Sequence, residues 1–322
     1  MRLLSVCIIC CIAVFARAAS GTEPYPNKAI RLILSNAAGS NQSIAALVLR
    51  DGFAKRGVSV AVDAKPGASG LIAGEYVARA APDGYTILLT PSTYMSITPH
   101  VQKNMPFDPL RDLVPVIQLF RYPFVLVVSA ASPVRSVSDL LARAKERPGR
   151  VTYGSLGVGG GQHLAGEMLA RMTGVRMLNV PYSPAAMQAL IGDVTESRID
   201  AAFSVTATVV PQVQSGKLRA IGVTGTNRNS LLPNVPAIRE SIPGFHIDVW
   251  MGIYAPKGTS ETAIEYLNVA ISEILKAAEI RSKMANRGEI FTPNTPKQVA
   301  EELRNEHERF GSLILDIGIK PE

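Results

Sequence analysis

The chain has 322 residues, 47% of them hydrophobic and 18% charged, with a formal charge of +7. That is enough chain for a large core and two lobes. There is no basic run and no aromatic ladder, so the positive excess speaks for an anionic ligand or surface and against a nucleic-acid partner.

Residues 1–18 read as a signal peptide: Arg2 is the basic start, Leu3 to Ala16 an apolar run too short to span a membrane, and Ala16-Arg17-Ala18 a small-x-small cleavage signal. The expected location is the periplasm. Cys7, Cys10 and Cys11 all lie in this segment, so the mature chain would carry no thiol and no disulfide. Losing Arg2 and Arg17 lowers the charge by two, to +5.

In chain order, Ala29 to Leu34 is an apolar strand, followed by Ser35-Asn36-Ala37-Ala38-Gly39-Ser40-Asn41-Gln42-Ser43 and a helix reaching Gly57, capped by Asn41 or Ser43. Val58 to Val62 is a strand, Leu71 to Ala81 a helix and Tyr85 to Thr90 a strand with Ser92 and Thr93 at its end. Alternating strands and helices imply a largely parallel sheet covered on both faces, with ligands at the carboxyl ends of its strands. Val114 to Leu119 and Phe124 to Val128 read as two strands meeting at Arg121-Tyr122-Pro123, the crossing into a second lobe. Val137 to Lys145 is a helix.

Val151 to Glu167, VTYGSLGVGGGQHLAGE, joins a strand to a helix through Gly154, Gly157, Gly159, Gly160 and Gly161, and Gly174 closes that helix. A glycine loop before a helix offers unpaired N–H groups and the positive end of a dipole, so an anion is its natural guest. The segment at Gly39 is a second junction of this kind. Met177 to Val180 is a strand, and Ser183 and Pro184 should open a helix from Ala185. Ile199 to Phe203, Leu218 to Val223 and Val249 to Tyr254 are strands; Glu261 to Ala278 and Lys297 to Ile314 are long helices. No internal repeat is legible.

Catalytic templates fit badly. The dinucleotide fingerprint needs glycines at i, i+2 and i+5, but Gly157 and Gly159 are followed by Gln162. No Gly-Lys-Ser/Thr occurs, and Ser155 has Tyr153 where a nucleophile elbow needs glycine. His163 and Glu167, at i and i+4, make half a metal site, so His163 is expected to bond locally. Trp250 suits core or hinge packing; Tyr182 suits a ligand contact or a structural role equally.

Several stretches, YPNKAIRLIL, ARAAPDGYTILL, MPFDPLRDLVPV, VTYGSLGVGGGQHLAGE, LNVPY, SGKLRAIGVT, WMGIYAPKGT and GIKPE, resemble in order and spacing the Bug-type periplasmic solute receptors of tripartite tricarboxylate transporters. The likeness runs from about Tyr25 to Glu322. It implies an α/β, type II periplasmic-binding-protein fold: two lobes with mixed, mainly parallel sheets and a ligand cleft between them. The expected lobes are residues 24–121 with 228–322, and 122–227. The implied ligand is a small organic carboxylate, the implied partners the transporter's membrane subunits, and the implied form a monomer without catalysis, metal or cofactor.

Carried onto this chain, the ligand-binding positions are Asn36, Gly39, Ser40, Asn41 and Gln42 in the first loop, Ser92 and Thr93, then Gly159, Gly160, Gly161, Gln162 and His163, then Tyr182, Ser183 and Ser204. The chain departs from the family where the first loop usually continues to an aspartate, here Ser43, and where an acidic residue often follows the second-lobe phenylalanine, here Ser204. Losing both acceptors for an amine favours a plain carboxylate over an amino acid. A receptor docking on a sensor kinase and an exported enzyme using the same cleft are the alternatives.

Overall fold

The computed structural model describes residues 25–37, 40–183 and 186–321. The expected signal peptide, its cysteines, Gly39 and Pro184 lie outside these residues.

Strand β1 (Ile30–Leu34), helix α1 (Asn41–Ala54), β2 (Val60–Ala64), α2 (Leu71–Ala78) and β3 (Thr86–Pro91) come first. β1 pairs in parallel with β2 on one side and β3 on the other. Short helices α3 (Ser92–Ser96), α4 (Thr98–Val101) and α5 (Pro109–Asp112) lead to β4 (Leu113–Ser129) and α6 (Val137–Glu146). Next come β5 (Thr152–Ser155), α7 (Gly161–Thr173), β6 (Leu178–Pro181), α8 (Met187–Thr195) and β7 (Ala201–Val205). β5 pairs in parallel with β6 and β7. The chain continues through α9 (Thr206–Gln214), β8 (Leu218–Val223), β9 (Asp248–Pro256), α10 (Glu261–Lys276), α11 (Ala278–Ala285) and α12 (Pro296–Asp316).

The sheet order is β2-β1-β3-β9-β4-β7-β5-β6, with β8 also on β4. It reads alike from both ends: a parallel trio with its first strand in the middle, flanking the antiparallel pair β9 and β4. The sheet is therefore mixed, with its parallel pairings in the two outer trios.

A repeat missed in the sequence is visible once the two trios are matched by strand order. Ser35, Gly39, Gln42, Ile44, Ala45 and Leu49 after β1 match Ser155, Gly159, Gln162, Leu164, Ala165 and Leu169 after β5. Intervening residues differ completely, which hid the pattern.

The two strands expected around Arg121-Tyr122-Pro123 are one. β4 runs unbroken for 17 residues. Its first part pairs with β9 up to Pro123↔Asp248, and from Phe124 it pairs with β7 and, from Val125, also with β8. A proline cannot donate to a ladder; here it sits where the strand changes neighbours. Other boundaries also moved. Helix α8 begins at Met187 with Ala186 as N-cap, so Ser183 caps nothing. Ser40, not Asn41 or Ser43, is the N-cap of α1, without a side-chain capping bond. Gly174 does end α7, at φ 67°.

Side-chain alternation sorts the core into layers. Ile30, Leu32 and Leu34 of β1 pack with α1 and α10 on one face, while Ile33 joins Leu71, Trp250 and Leu303 on the other. In β4, Phe124, Leu126 and Val128 face α7, and Val125 and Val127 face α8 and α9. Helix α12 spans both trios: Val299 and Leu303 pack with the first, Phe310 and Ile314 with the second. Among the described residues no helix is long and apolar enough to cross a membrane.

Candidate functional site

The carboxyl ends of β1, β3, β5 and β7 open on one cleft of about 580 Å³. Asn36 and Ser40 line it from the first trio, Thr93 from the start of α3, and Gly159, Gly160, Gly161 and Gln162 from the second trio. The loops expected to converge therefore do. Sequence reasoning missed the floor: Tyr122 and Phe124 of β4 and Val249 and Met251 of β9. For Val249 and Met251 the signal was present, because alternation along the expected strand puts them on one face; Tyr122 fell in the expected break between two strands. Met187, Val205 and Thr208 were also missed. A second cavity of about 460 Å³, lined by Phe120, Met284, Arg281 and Glu289, holds neither loop.

Each loop is pinned by a glutamine in the first turn of the helix that follows. Gln42 Oε1 accepts the Asn36 N–H at 3.0 Å, and Gln162 Oε1 accepts the Leu156 N–H at 3.2 Å. Both bonds span six residues. Gln42 is fully buried, and its Nε2 donates to Ser35 Oγ at 2.7 Å, which in turn bonds Thr90 Oγ1 at 2.9 Å. Ser155, the counterpart of Ser35, donates instead to Asn179 Oδ1 at 2.8 Å.

Several expected ligand-binding residues stand behind the cleft wall rather than on it. Ser92 is buried, and its Oγ accepts the Trp250 N–H at 3.4 Å. His163 is buried; its Nδ1 accepts the Gly159 N–H at 2.9 Å, so that amide is already engaged. Burial lowers the His163 pKa against the opposing pull of Glu167, whose carboxylate lies 3.7 Å from Nε2. His163 thus bonds locally, as its helix position suggested. Ser204 is buried and reaches Met187 Sδ at 3.4 Å. Tyr182 donates its hydroxyl to the Asp193 carboxylate, away from the cleft, and Ser183 does not line it either. Gly39 and the side chain of Asn41 lie outside the description.

At one end the two sides of the cleft touch. Gly159 has φ +74°, and a Cβ placed there would lie 2.9 Å from Val101 of α4. Only glycine fits that backbone and that approach. Nearby, Tyr94 donates to Asn36 Oδ1 at 3.0 Å, and burial raises the Tyr94 pKa, so it stays a neutral donor.

Among the described residues lining the cleft there is no Asp, Glu, Lys, Arg or His. A guest meets amide and hydroxyl donors at the loops and an apolar floor between them. The family model for the tripartite tricarboxylate transporter family receptor matches residues 45–319. The chain belongs to that family. It is similar to a protein encoded in the tcbD–tcbE intergenic region of Pseudomonas sp. strain P51, 32% identical over 91% of this chain and 88% of the relative. Among solved structures it is similar to Rpa4515 of R. palustris with adipate, at 28% identity and TM-score 0.81 over 92% of this chain and all of that one. It is also similar to MatC of Rhodopseudomonas palustris with bound malate, at 25% identity and TM-score 0.76 over 90% of this chain and all of that one. This receptor family is a solute-binding family, and the fold of the chain is that of its periplasmic binding proteins.

Proposed function

We propose that the chain is a periplasmic receptor that closes on a small organic carboxylate and delivers it to the membrane subunits of a tripartite tricarboxylate-type transporter. The observation that carries this reading is the meeting of the α1 and α7 loops on one cleft without a charged side chain among its described lining. Oriented N–H and O–H donors are sufficient for a carboxylate, each charge-assisted bond contributing roughly 1.5–3 kcal/mol. The neighbours solved with adipate and malate support the same class of guest.

In this reading residues 24–121 with 228–322 form one lobe and 122–227 the other, and β4 and β9 cross between them. Ligand binds at Asn36, Ser40, Thr93 and Gly159 to Gln162, while Gln42, Ser92, His163 and Ser204 hold these from behind. Closure brings the loops onto the guest as the crossing strands bend.

A thermal-shift screen of mono- and dicarboxylates, adipate and malate included, tests it. At least one acid should raise the melting temperature by several degrees at saturating concentration and reduce the radius of gyration in solution scattering. A full screen with neither effect overturns the proposal.

A further inference from the structure

The second cavity, of about 460 Å³, is nearly as large as the cleft and meets it along β4. Phe120 lines the cavity, whereas Tyr122 and Phe124, each two residues further on, line the cleft. Leu275, Lys276, Arg281 and Met284 supply one wall from α10 and α11. The opposite wall holds Asn229, whose Nδ2 donates to Thr206 Oγ1 at the start of α9 at 3.0 Å. Gly288 closes the gap between them: its φ is +71°, and a Cβ there would lie 2.7 Å from Thr206 Cγ2.

The lining has two chemical parts. Phe120, Leu275, Met284 and Phe291 offer carbon surface. Lys276 and Arg281 are exposed at its edge, and neither forms an ion pair among the described residues. Glu273, one turn before Lys276, is paired with Arg56. Among the described residues of the lining Glu289 is the one carboxylate, and Arg287 pairs with it at 3.1 Å. Apolar walls with a few polar groups are the usual make-up of a small-molecule site, and here the charge left over is positive.

We propose that this cavity is a second ligand site, for a small anion with an apolar or aromatic body, and that its occupant acts on the cleft as an effector. The body lies against Phe120, Met284 and Phe291, and the head pairs with Lys276 and Arg281, whose guanidinium matches a flat oxyanion. Glu289 connects the two sites. It lines the cavity, and after burial the nearness of its carboxylate is what raises the pKa of Tyr122 in the cleft floor. Ile290 beside it exchanges backbone bonds of 2.9 and 3.0 Å with Arg121, between Phe120 and Tyr122. A guest seated here therefore bears on the cleft floor, and by linkage a guest in the cleft bears equally on this cavity. The second site does not rest on the receptor reading above; its effector role does.

The probe is anilinonaphthalene sulfonate, an aromatic anion that fluoresces when its rings leave water. With the cleft saturated by the acid that gives the largest thermal shift, titration should show a single class of probe site. The double variant Lys276→Glu with Arg281→Glu should weaken it about 10-fold or more. Ser282→Trp, which sets an indole into the lining, should abolish it. No probe binding, or unchanged affinity in both variants, overturns the inference. Calorimetry then measures the acid's affinity with and without saturating probe. An effector shifts it about 5-fold or more in the parent and not in the double variant. No shift in the parent overturns the effector role, and a shift that persists in the double variant shows competition within the cleft and overturns it too. A chain that binds no acid overturns the receptor reading and the effector role together, while probe binding by parent and variants still decides the second site. The two cations are exposed, so the double variant should melt within a few degrees of the parent; should Ser282→Trp melt early, the double variant alone decides.

Discussion

Trp250 donates its indole N–H to Glu306 Oε1 at 2.9 Å, tying strand β9 to helix α12 inside the protein. The other carboxyl oxygen, Glu306 Oε2, is buried with no hydrogen-bond partner among the described residues. Burial, with Glu302 and Asp248 nearby, pushes the Glu306 carboxyl from its ordinary 4.5 up to about 8, against the pull of Trp250 and Arg121. Val249 and Met251, on either side of Trp250, line the cleft. The Glu306 carboxyl, protonated at neutral pH by this shift, therefore sits behind the cleft floor.

The sign of the resulting pH dependence follows from proton counting. Between about pH 4.5 and 8 the unfolded chain has released this proton and the folded one retains it. Stability must then fall as pH rises across that window, by about 1.4 kcal/mol per pH unit for one such group. Glu306→Gln keeps an acceptor for Trp250 and removes the titration. Urea unfolding of both proteins from pH 5 to 8.5 should show a gap that widens with pH in favour of the variant. A pH-independent gap would contradict the assignment.

Acid should weaken the fold through a different residue. Burial depresses the His163 pKa, so the unfolded chain takes up a proton before the folded one does, and stability is lost as pH falls through the folded value. Protonating Nδ1 would also cost the acceptor that holds the Gly159 N–H. His163→Phe preserves much of the ring volume but orphans that amide, for an expected loss of about 1–3 kcal/mol at pH 8. The part of the acid loss due to His163 should vanish in the variant, as measured by unfolding at pH 5 and 8.

Arg121 lies on β4 next to the strand's change of neighbours, and it pairs with Asp248 at 2.6 Å and with Glu302. The Asp248 side chain is only 5% exposed, whereas Arg121 retains 27%. Arg121→Met removes the partner of Asp248 Oδ1 and leaves that buried carboxylate only His246 Nε2, 3.2 Å from Oδ2, and partial solvent access tempers the cost to about 2 kcal/mol. Chemical denaturation at pH 7 measures it. An unchanged midpoint would show that Asp248 finds another partner.

Gly166 carries the close packing of α7 on β5. A Cβ there would lie 2.1 Å from the Tyr153 ring, which is fully buried and held by its hydroxyl to Glu167 at 2.6 Å. Gly166→Ala should destabilise by about 1–3 kcal/mol through overpacking, despite the better helix propensity of alanine. A melting temperature at or above that of the parent would show that the ring can move.

Local chemistry determined much of this protein. Apolar runs bounded by Gly and Pro set out strands and helices in order, because alternation and helical spacing are short-range properties. The glycines from Gly157 to Gly161 marked a loop, and the position of His163 in the first turn marked a local bond. The sequence alone could also assign both loops to strand ends.

Tertiary structure decided what depends on partners distant in the chain. Whether Arg121-Tyr122-Pro123 breaks a strand depends on what lies beside it, and β9 and β7 take turns there. Gln42 and Gln162 are the same residue at the same place in a repeat, yet Ser35, itself bonded to Thr90, occupies one amide while Asn179 draws Ser155 away from the other. A hydrogen-bond donor is free or engaged according to neighbours that folding supplies, so the side chain left facing the cleft could be identified only in three dimensions.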